Sequence, residues 1–224
     1  MAGVDAVANR ADQTDVFLLR HGTPDYPVDT YPDPFQMPLS ARGRQEARVA
    51  AAAVARLQPD AIFSSDFRRA VETAELATAV LTGIEIHLSA ALRERVLYQL
   101  VDQSHAGIAS RHGAAADLLF SGRSDFVDLP GEESYSDARQ RAVAFVKALG
   151  DTYAGRRVLL VGHGGPHAWL MEEALGVDLR GNRSFALYPG CFSWFTMRSG
   201  TLRIEAMNLP PVGVCPALLA PDTV

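Results

Sequence analysis

Short apolar runs of strand length alternate with helical segments along most of this chain, and that alternation restricts the fold more than any other feature. Asp15-Val16-Phe17-Leu18-Leu19-Arg20 reads as a first, buried strand. Ser40 is a good N-cap for a helix running to about Leu57, rich in alanine at Ala47, Ala50 to Ala53 and Ala55. Asp60 to Ser64 reads as a second strand, after which Ser65 or Asp66 caps a helix from Phe67 to about Leu81. Ile84 to Leu88 alternates with period two and reads as a third strand. Ser134-x-x-Asp137 has the form of a capping box. The helix after it follows the spacing of Ala138, Ala142, Phe145, Val146 and Leu149, with Gly150 as its stop. Arg157 to Val161 is a fourth strand, Gly162-His163-Gly164-Gly165 a turn, and a helix follows to about Leu175. Phe192 to Met197 and Leu202 to Met207 flank Arg198-Ser199-Gly200-Thr201 as a terminal hairpin. The pattern predicts an α/β three-layer sandwich: a mainly parallel central sheet flanked by helices.

At roughly 150 residues per domain, 224 residues suit one domain with an insert. We expect a single domain over residues 15–209, a disordered segment over 1–14 and an irregular tail over 210–224. Residues 89–131 are the expected cap insert, with a helix from His105 to Phe120 and a loop from Gly122 to Gly131. Gly22 to Pro38 carries Pro24, Pro27, Pro32, Pro34 and Pro38, so it is a loop, and a functional one by its length. No apolar run approaches the ~18 residues of a membrane span, and Met1 to Thr14 lacks the apolar core of a secretory signal. The expectation is a cytoplasmic protein. Cys191 and Cys215 are too few for a disulfide scaffold or a structural zinc site.

Ligands of open parallel sheets bind beyond the carboxyl ends of the strands. Three unusual clusters stand there: Arg20-His21-Gly22 after the first strand, Ser64-Ser65-Asp66-Phe67-Arg68-Arg69 after the second, and Gly162-His163-Gly164-Gly165 after the fourth. Arginine grips phosphate through a planar fork of donors. A neutral imidazole is a nucleophile toward phosphorus near pH 7, and cationic neighbours keep it neutral. A second imidazole can hydrogen-bond the oxygens that gain charge in the transition state. Such a set performs phosphoryl transfer without a metal.

These residues resemble the histidine phosphatase superfamily, which includes the cofactor-dependent phosphoglycerate mutases. Leu18-Leu19-Arg20-His21-Gly22 resembles its R-H-G signature, and Ser64-Ser65-x-x-x-Arg69-Ala70-x-x-Thr73-Ala74 is similar to its S-S-x-x-x-R-A-x-x-T-A segment. Val161-Gly162-His163-Gly164-Gly165 resembles its second-histidine motif. Pro38-Leu39-Ser40 with Gly43-Arg44, and Pro130-Gly131-Glu132-Glu133-Ser134, resemble two further elements. The ordered match runs from about residue 15 to 175. The resemblance implies that His21 is the nucleophile that becomes phosphohistidine, and that Arg20, Arg69 and His163 hold the phosphoryl oxygens. Glu94, in Ala91-Leu92-Arg93-Glu94, matches the usual proton donor; a dianionic substrate raises its pKa, whereas Arg93 and Arg95 lower it. Two departures stand near the leaving group. Pro24 and Pro27 replace the threonine and asparagine of R-H-G-x-T-x-x-N, and Arg95-Val96-Leu97-Tyr98-Gln99 lacks the usual glycine.

The other charged residues have plainer readings. Arg68 suits a solvated helix turn, His87 a strand surface, and His105, Arg111, His112 and Arg123 solvated surface in preference to contact with substrate. His163 and His167 are four apart, but Pro166 stands between them and no H-E-x-x-H acid accompanies them, so no metal is expected. His167 reads as a packing residue. Walker, G-x-G-x-x-G and G-x-S-x-G patterns are absent. The net charge of -5 disfavours nucleic acid and anionic membranes but allows one phosphate in a cationic pocket. The expected function is therefore metal-independent, cofactor-free hydrolysis of a small phosphomonoester through phospho-His21. The alternatives are a phosphoglycerate-type mutase and an inactive phosphate-binding relative. A homodimer is the candidate assembly, with the terminal hairpin, Trp194 and Phe195 as candidate contacts.

Overall fold

The structure, a computed structural model, describes residues 12–180 and 185–213. Six strands form one sheet: β1 (Thr14–Arg20), β2 (Ala61–Ser64), β3 (Ile86–Leu88), β4 (Arg157–Gly162), β5 (Phe192–Arg198) and β6 (Thr201–Leu209). Their order across the sheet is β3-β2-β4-β1-β5-β6. The first four strands run parallel, β5 antiparallel to β1, and β6 antiparallel to β5. Helices α1 (Ala41–Leu57) and α2 (Arg68–Thr78) cover one face. Helices α5 (Tyr135–Thr152) and α6 (Gly164–Leu175) cover the other. Short helices α3 (His105–His112) and α4 (Ala114–Phe120) lie in the connection between β3 and α5.

Strand β1 shows why the layers form. Phe17 and Leu19 point into the α1–α2 core with Val54 and Leu57, while Val16 and Leu18 point into the α5–α6 core with Val146 and Leu170. A strand buried on both faces must be apolar through its centre, as Val16 to Leu19 are. A third, smaller core of Leu97, Leu100, Ile108, Ala116 and Val127 stands apart from these two, within the region expected as an insert.

Several local expectations need correction. Thr14 is not frayed: it opens β1, and its Oγ1 donates to Gly150 O at 2.8 Å. Residues 1–11 and 214–224, including Cys215, lie outside the described residues. The expected helix 105–120 is broken at Gly113, whose φ of 47° leaves the helical region. Its loop partner contains a 3-10 turn at Ser124–Phe126. Gly150 does not stop α5; it is buried inside the helix, where an added Cβ would lie 2.2 Å from Met197 Cγ. Close packing on β5, not helix termination, explains this glycine. The third strand shrinks to three residues at the sheet edge. Phe67 N-caps α2, and Ser65 Oγ accepts from the Phe67 N–H at 3.3 Å. Trp194 and Phe195 are buried inside the sheet core and offer no dimer surface. The hairpin forms as expected, with Ser199 and Gly200 at positive φ. Among the described residues, no helix is long and apolar enough to cross a membrane.

The turn after β1 is seated by a backbone contact. An added Cβ at Gly22 would lie 2.3 Å from Gly43 O, and one at Gly43 would lie 2.0 Å from Thr23 O. Ser40 locks the same junction: its Oγ donates to Thr23 O at 2.9 Å and accepts from Gly43 N at 3.0 Å. Gly43 thus lets α1 press its first turn onto the strand end. Gly43→Ala should gain about 1 kcal/mol of helix propensity yet lose more, because overpacking against a backbone costs about 1–3 kcal/mol. Urea unfolding should show a lowered midpoint; a raised one would mean that the two backbones do not press together.

Candidate active site

Strand register brings the candidate residues together. β4 lies between β1 and β2, with Arg20 opposite Gly162 and Ser64 opposite Val161. His21, Ser65 and His163 therefore follow three adjacent strand ends at one level. The ladder continues into the turns, as His21 N donates to Gly162 O at 2.9 Å and Ser65 N to Val161 O at 2.9 Å. The His21 and His163 rings meet edge to face, with centroids 5.0 Å apart.

His21 is buried, and its two ring nitrogens have different partners. Nδ1 lies 2.7 Å from Gly22 O, which can only accept, so Nδ1 carries the proton. Nε2 then holds the lone pair, and it accepts from Arg69 Nε at 3.1 Å. Burial, then Arg69 and Arg20, hold the His21 pKa well below its usual range against the raising effect of Gly22 O. His163 Nε2 lies 2.8 Å from Ser65 Oγ. Burial, Arg69 and His21 push its pKa down as well. Both imidazoles are neutral at pH 7.

Three buried nitrogens in this cluster have no hydrogen-bond partner among the described residues: Arg20 Nε, Arg69 Nη1 and His163 Nδ1. Arg69 is only 5% exposed, and burial pulls its pKa down. A guanidinium this deep without a carboxylate is costly unless an anion joins it. Arg20 is anchored through Nη1 on Leu187 O and passes beside Gly164. Thr73 Oγ1 accepts from Gly22 N at 3.1 Å and donates to Arg69 O at 2.7 Å, tying the first histidine turn to the arginine helix.

Glu94 sits across from this cluster at the start of α6. Its Oε2 accepts from Gly165 N at 2.8 Å and its Oε1 from Arg95 N at 3.1 Å. His163 N-caps α6 without a side-chain bond, so Glu94 accepts from the Gly165 N–H of its first turn instead. Gly165 makes this possible: an added Cβ there would lie 2.0 Å from Glu94 Oε1. Gly164 and Gly165 thus belong to the first turn of α6 rather than to a preceding turn. Arg93 and Arg95, expected to act on Glu94, hold other carboxylates. Arg93 grips Asp66 with two bonds of 2.7 and 2.6 Å, and Arg95 pairs with Asp128 at 3.1 Å. Arg141 was not foreseen. It binds Glu133 twice at 2.7 Å and donates to Ala90 O, Ala91 O and Arg93 O, clamping the turn that leads into Glu94. Glu133 and the N-cap Ser134 give the 130–134 element its local purpose.

A cavity of about 470 Å³ joins Arg69 and Glu94 to Tyr26, Tyr31 and the α3–α4 region. His105 lines it, which agrees with the less favoured of its two readings, and packs on Phe120 with centroids 4.7 Å apart. Nothing in its sequence neighbourhood signalled this. Arg95, Val96 and Leu97, which depart from the resembled pattern, also line it. Arg68 is a surface residue, paired with Glu72 at 2.8 Å. Arg111 and Arg123 are exposed. His167 is buried against Ser193 Oγ at 2.9 Å, so His163 and His167 face different partners. Among the described residues, no three His, Cys, Asp or Glu side chains gather to hold a metal ion.

A mainly parallel α/β sheet with paired imidazoles and a buried guanidinium at its strand ends defines a class of phosphoryl-handling proteins. The chain belongs to the histidine phosphatase superfamily (branch 1), whose model matches residues 16–210. It is 35% identical over 168 residues to the glucosyl-3-phosphoglycerate phosphatase of Mycobacterium tuberculosis, covering 70% of this chain and 74% of that one. It is 29% identical over 166 residues to phosphoglycerate mutase-like protein 4 of Arabidopsis thaliana, covering 73% and 72%. The native structure of the mycobacterial glucosyl-3-phosphoglycerate phosphatase superposes with a TM-score of 0.71 at 27% identity, covering 88% of this chain and 99% of that one. YhfR of Bacillus stearothermophilus superposes with a TM-score of 0.77 at 26% identity, covering 88% and 97%.

The buried imidazoles make stability depend on pH. His167 is held down to about 3 by burial and by Arg20, against an ordinary value of 6.5. Below pH 6.5 the unfolded chain binds a proton that the native state refuses, so stability falls as pH falls, until the native ring protonates near pH 3. His167 alone should cost about 1.4 kcal/mol between pH 7.5 and 5.5. His21 and His163, shifted the same way, add to this loss. Urea midpoints should drop as pH falls through that interval; a flat profile would mean that the three rings titrate in the native state as they do in the unfolded chain.

Proposed function

We propose that the protein is a metal-independent phosphomonoester hydrolase working through phospho-His21. The observation that carries this reading is the pair of bonds on His21. Nδ1–H donates to Gly22 O, which leaves the Nε2 lone pair beside Arg69. A phosphoryl group arriving at Nε2 takes over the Arg69 donor and meets Arg20 Nε and His163 Nδ1. Ser65 Oγ already accepts from Phe67 N, so in this reading its hydroxyl donates to His163 Nε2, the His163 proton sits on Nδ1, and His163 enters as a neutral donor.

In the first step Nε2 attacks phosphorus and the ester P–O bond breaks. Glu94, in its acid form, protonates the leaving oxygen. In the second step the Glu94 carboxylate takes a proton from water, the water oxygen attacks phosphorus, and the P–Nε2 bond breaks to release phosphate. Glu94 suits both steps because it lies on the cavity wall with Arg69, on the side where the leaving group departs and water enters. The net charge of -5 supports small phosphoesters over nucleic acid as substrates.

Rapid quench with p-nitrophenyl phosphate should trap an acid-labile, alkali-stable phosphoprotein that His21→Ala cannot form. Normal turnover by that variant would rule out the nucleophile. Glu94→Gln should release one equivalent of p-nitrophenol in a burst and then turn over about 10²–10⁴-fold more slowly, because this leaving group needs no acid but the phosphoenzyme still needs a base. A loss of activity with EDTA would contradict metal independence. A requirement for a phosphorylated donor, with little phosphate released, would favour a mutase.

A further inference from the structure

The acid that serves both proposed steps stands in a segment with little regular structure of its own. Glu94 lies between one 3-10 turn at Ala90–Leu92 and another at Tyr98–Leu100. Turns this short do not hold a position unaided, because fixing their backbone costs more entropy than one or two hydrogen bonds return. A general acid must be placed closely, since a misplacement of ~1 Å can cost about 10²-fold in rate. Another part of the chain has to hold residues 90–99.

Residues 124–133 and Arg141 hold them on both sides of Glu94. Before Glu94, Arg141 forks onto the Glu133 carboxylate with two bonds of 2.7 Å. Its Nη1 also donates to Ala90 O, Ala91 O and Arg93 O at 3.0, 2.9 and 3.3 Å. Directly after Glu94, the buried Arg95 side chain pairs with Asp128 at 3.1 Å and donates to Val127 O. Further on, Glu132 Oε1 accepts from Gln99 N at 2.6 Å, and Gln99 Nε2 donates to Pro130 O at 3.1 Å. Leu97 and Leu100 pack with Val127 in the third core. Between these holds Glu94 reaches α6, where its Oε2 accepts from Gly165 N at 2.8 Å. A planar guanidinium can fork onto Glu133 and still turn one nitrogen to the three carbonyls, which a lysine ammonium cannot do from one position.

We propose that Arg141, held by Glu133, is a positioning residue for the general acid, setting the backbone from which Glu94 reaches the leaving oxygen. Arg141 lies outside the cavity wall and acts only through Glu94. This rests on the phosphohistidine reading and adds to it a residue that touches neither the substrate nor the phosphoryl cluster. p-Nitrophenol leaves without an acid and benzyl alcohol does not, so their two monophosphates separate a displaced acid from a damaged phosphoryl cluster. Arg141→Gln should lower kcat/KM for benzyl phosphate by about tenfold or more and leave that for p-nitrophenyl phosphate within about threefold. In a Glu94→Gln background the same substitution should change benzyl phosphate hydrolysis by less than about twofold, because no acid is left to displace. Equal losses on both esters, or the full loss in the Glu94→Gln background, would overturn the proposal. Glu133→Ala leaves the carbonyl bonds open to Arg141; it should give the same pattern at smaller size, and it serves as the test if Arg141→Gln does not fold. Amide exchange reads the positioning without turnover. The Gly165 N–H, covered by Glu94, should exchange about tenfold faster or more in either variant, while the His21 N–H, bonded to Gly162 O, should stay within about twofold. That result in a protein that hydrolyses neither ester would uphold Arg141 as the residue that positions Glu94 and sink the hydrolase reading. Unchanged Gly165 exchange would overturn the proposal whatever the kinetics.

Discussion

Three parallel strands that end at one level are the constraint on which everything else in this molecule depends. β4 runs between β1 and β2, and the hydrogen-bond ladder continues one residue past the strands. Parallel pairing forces the residues that follow each strand to emerge together on the same side of the sheet. A one-residue slip of β1 against β4 would turn every side chain of β1 to the opposite face and exchange its two apolar sets. The register that buries Phe17 and Val16 in their separate cores is therefore the register that sets His21 beside His163. Core packing and site assembly are one requirement.

The site that results is electrostatically expensive. Two imidazoles and the Arg69 guanidinium are buried with no carboxylate among their hydrogen-bond partners. Burial is the largest cause of the lowered pKa of all three. The cationic arginines keep both histidines neutral, which costs stability and serves the chemistry. Cationic neighbours keep the imidazole lone pair free, and the donors left without partners favour a bound anion. An overall acidic chain holds this cationic pocket without contradiction, because net charge averages over a surface on which Arg93, Arg95 and Arg141 are each matched to an acid.

Glu94 is positioned by groups far from it in sequence. Gly165 clears the space, the α6 N–H group supplies the bond, and Arg141 with Glu133 steadies the preceding turn. The same acid joins the phosphoryl cluster to the cavity, so the protonation of the leaving oxygen and the fit of the leaving group fall on one wall. Pro32, Pro34 and Tyr26 bring the proline-rich loop to that wall, which explains why a long loop with little regular structure belongs in a packed molecule.

Much of the scaffold was legible in the sequence because its signals are local. Strand β1 is apolar from Val16 to Leu19, Ser40 and Ser134 accept the expected capping bonds, and Ser199-Gly200 makes the expected turn. The order of motifs around His21, Arg69 and His163 pointed to residues that the register does bring together. What escaped the sequence depends on contacts between distant segments. Gly150 looked like a helix stop and proved to be a packing site for Met197. His105 looked solvated and lines the cavity, Trp194 and Phe195 looked like contacts and are core, and Arg141 carried no signal at all. Periodicity and capping are properties of neighbours along the chain, so the sequence by itself determined the elements and the chemistry at their ends. Which groups face one another across a cavity depends on how those elements pack, and only the tertiary structure decided that.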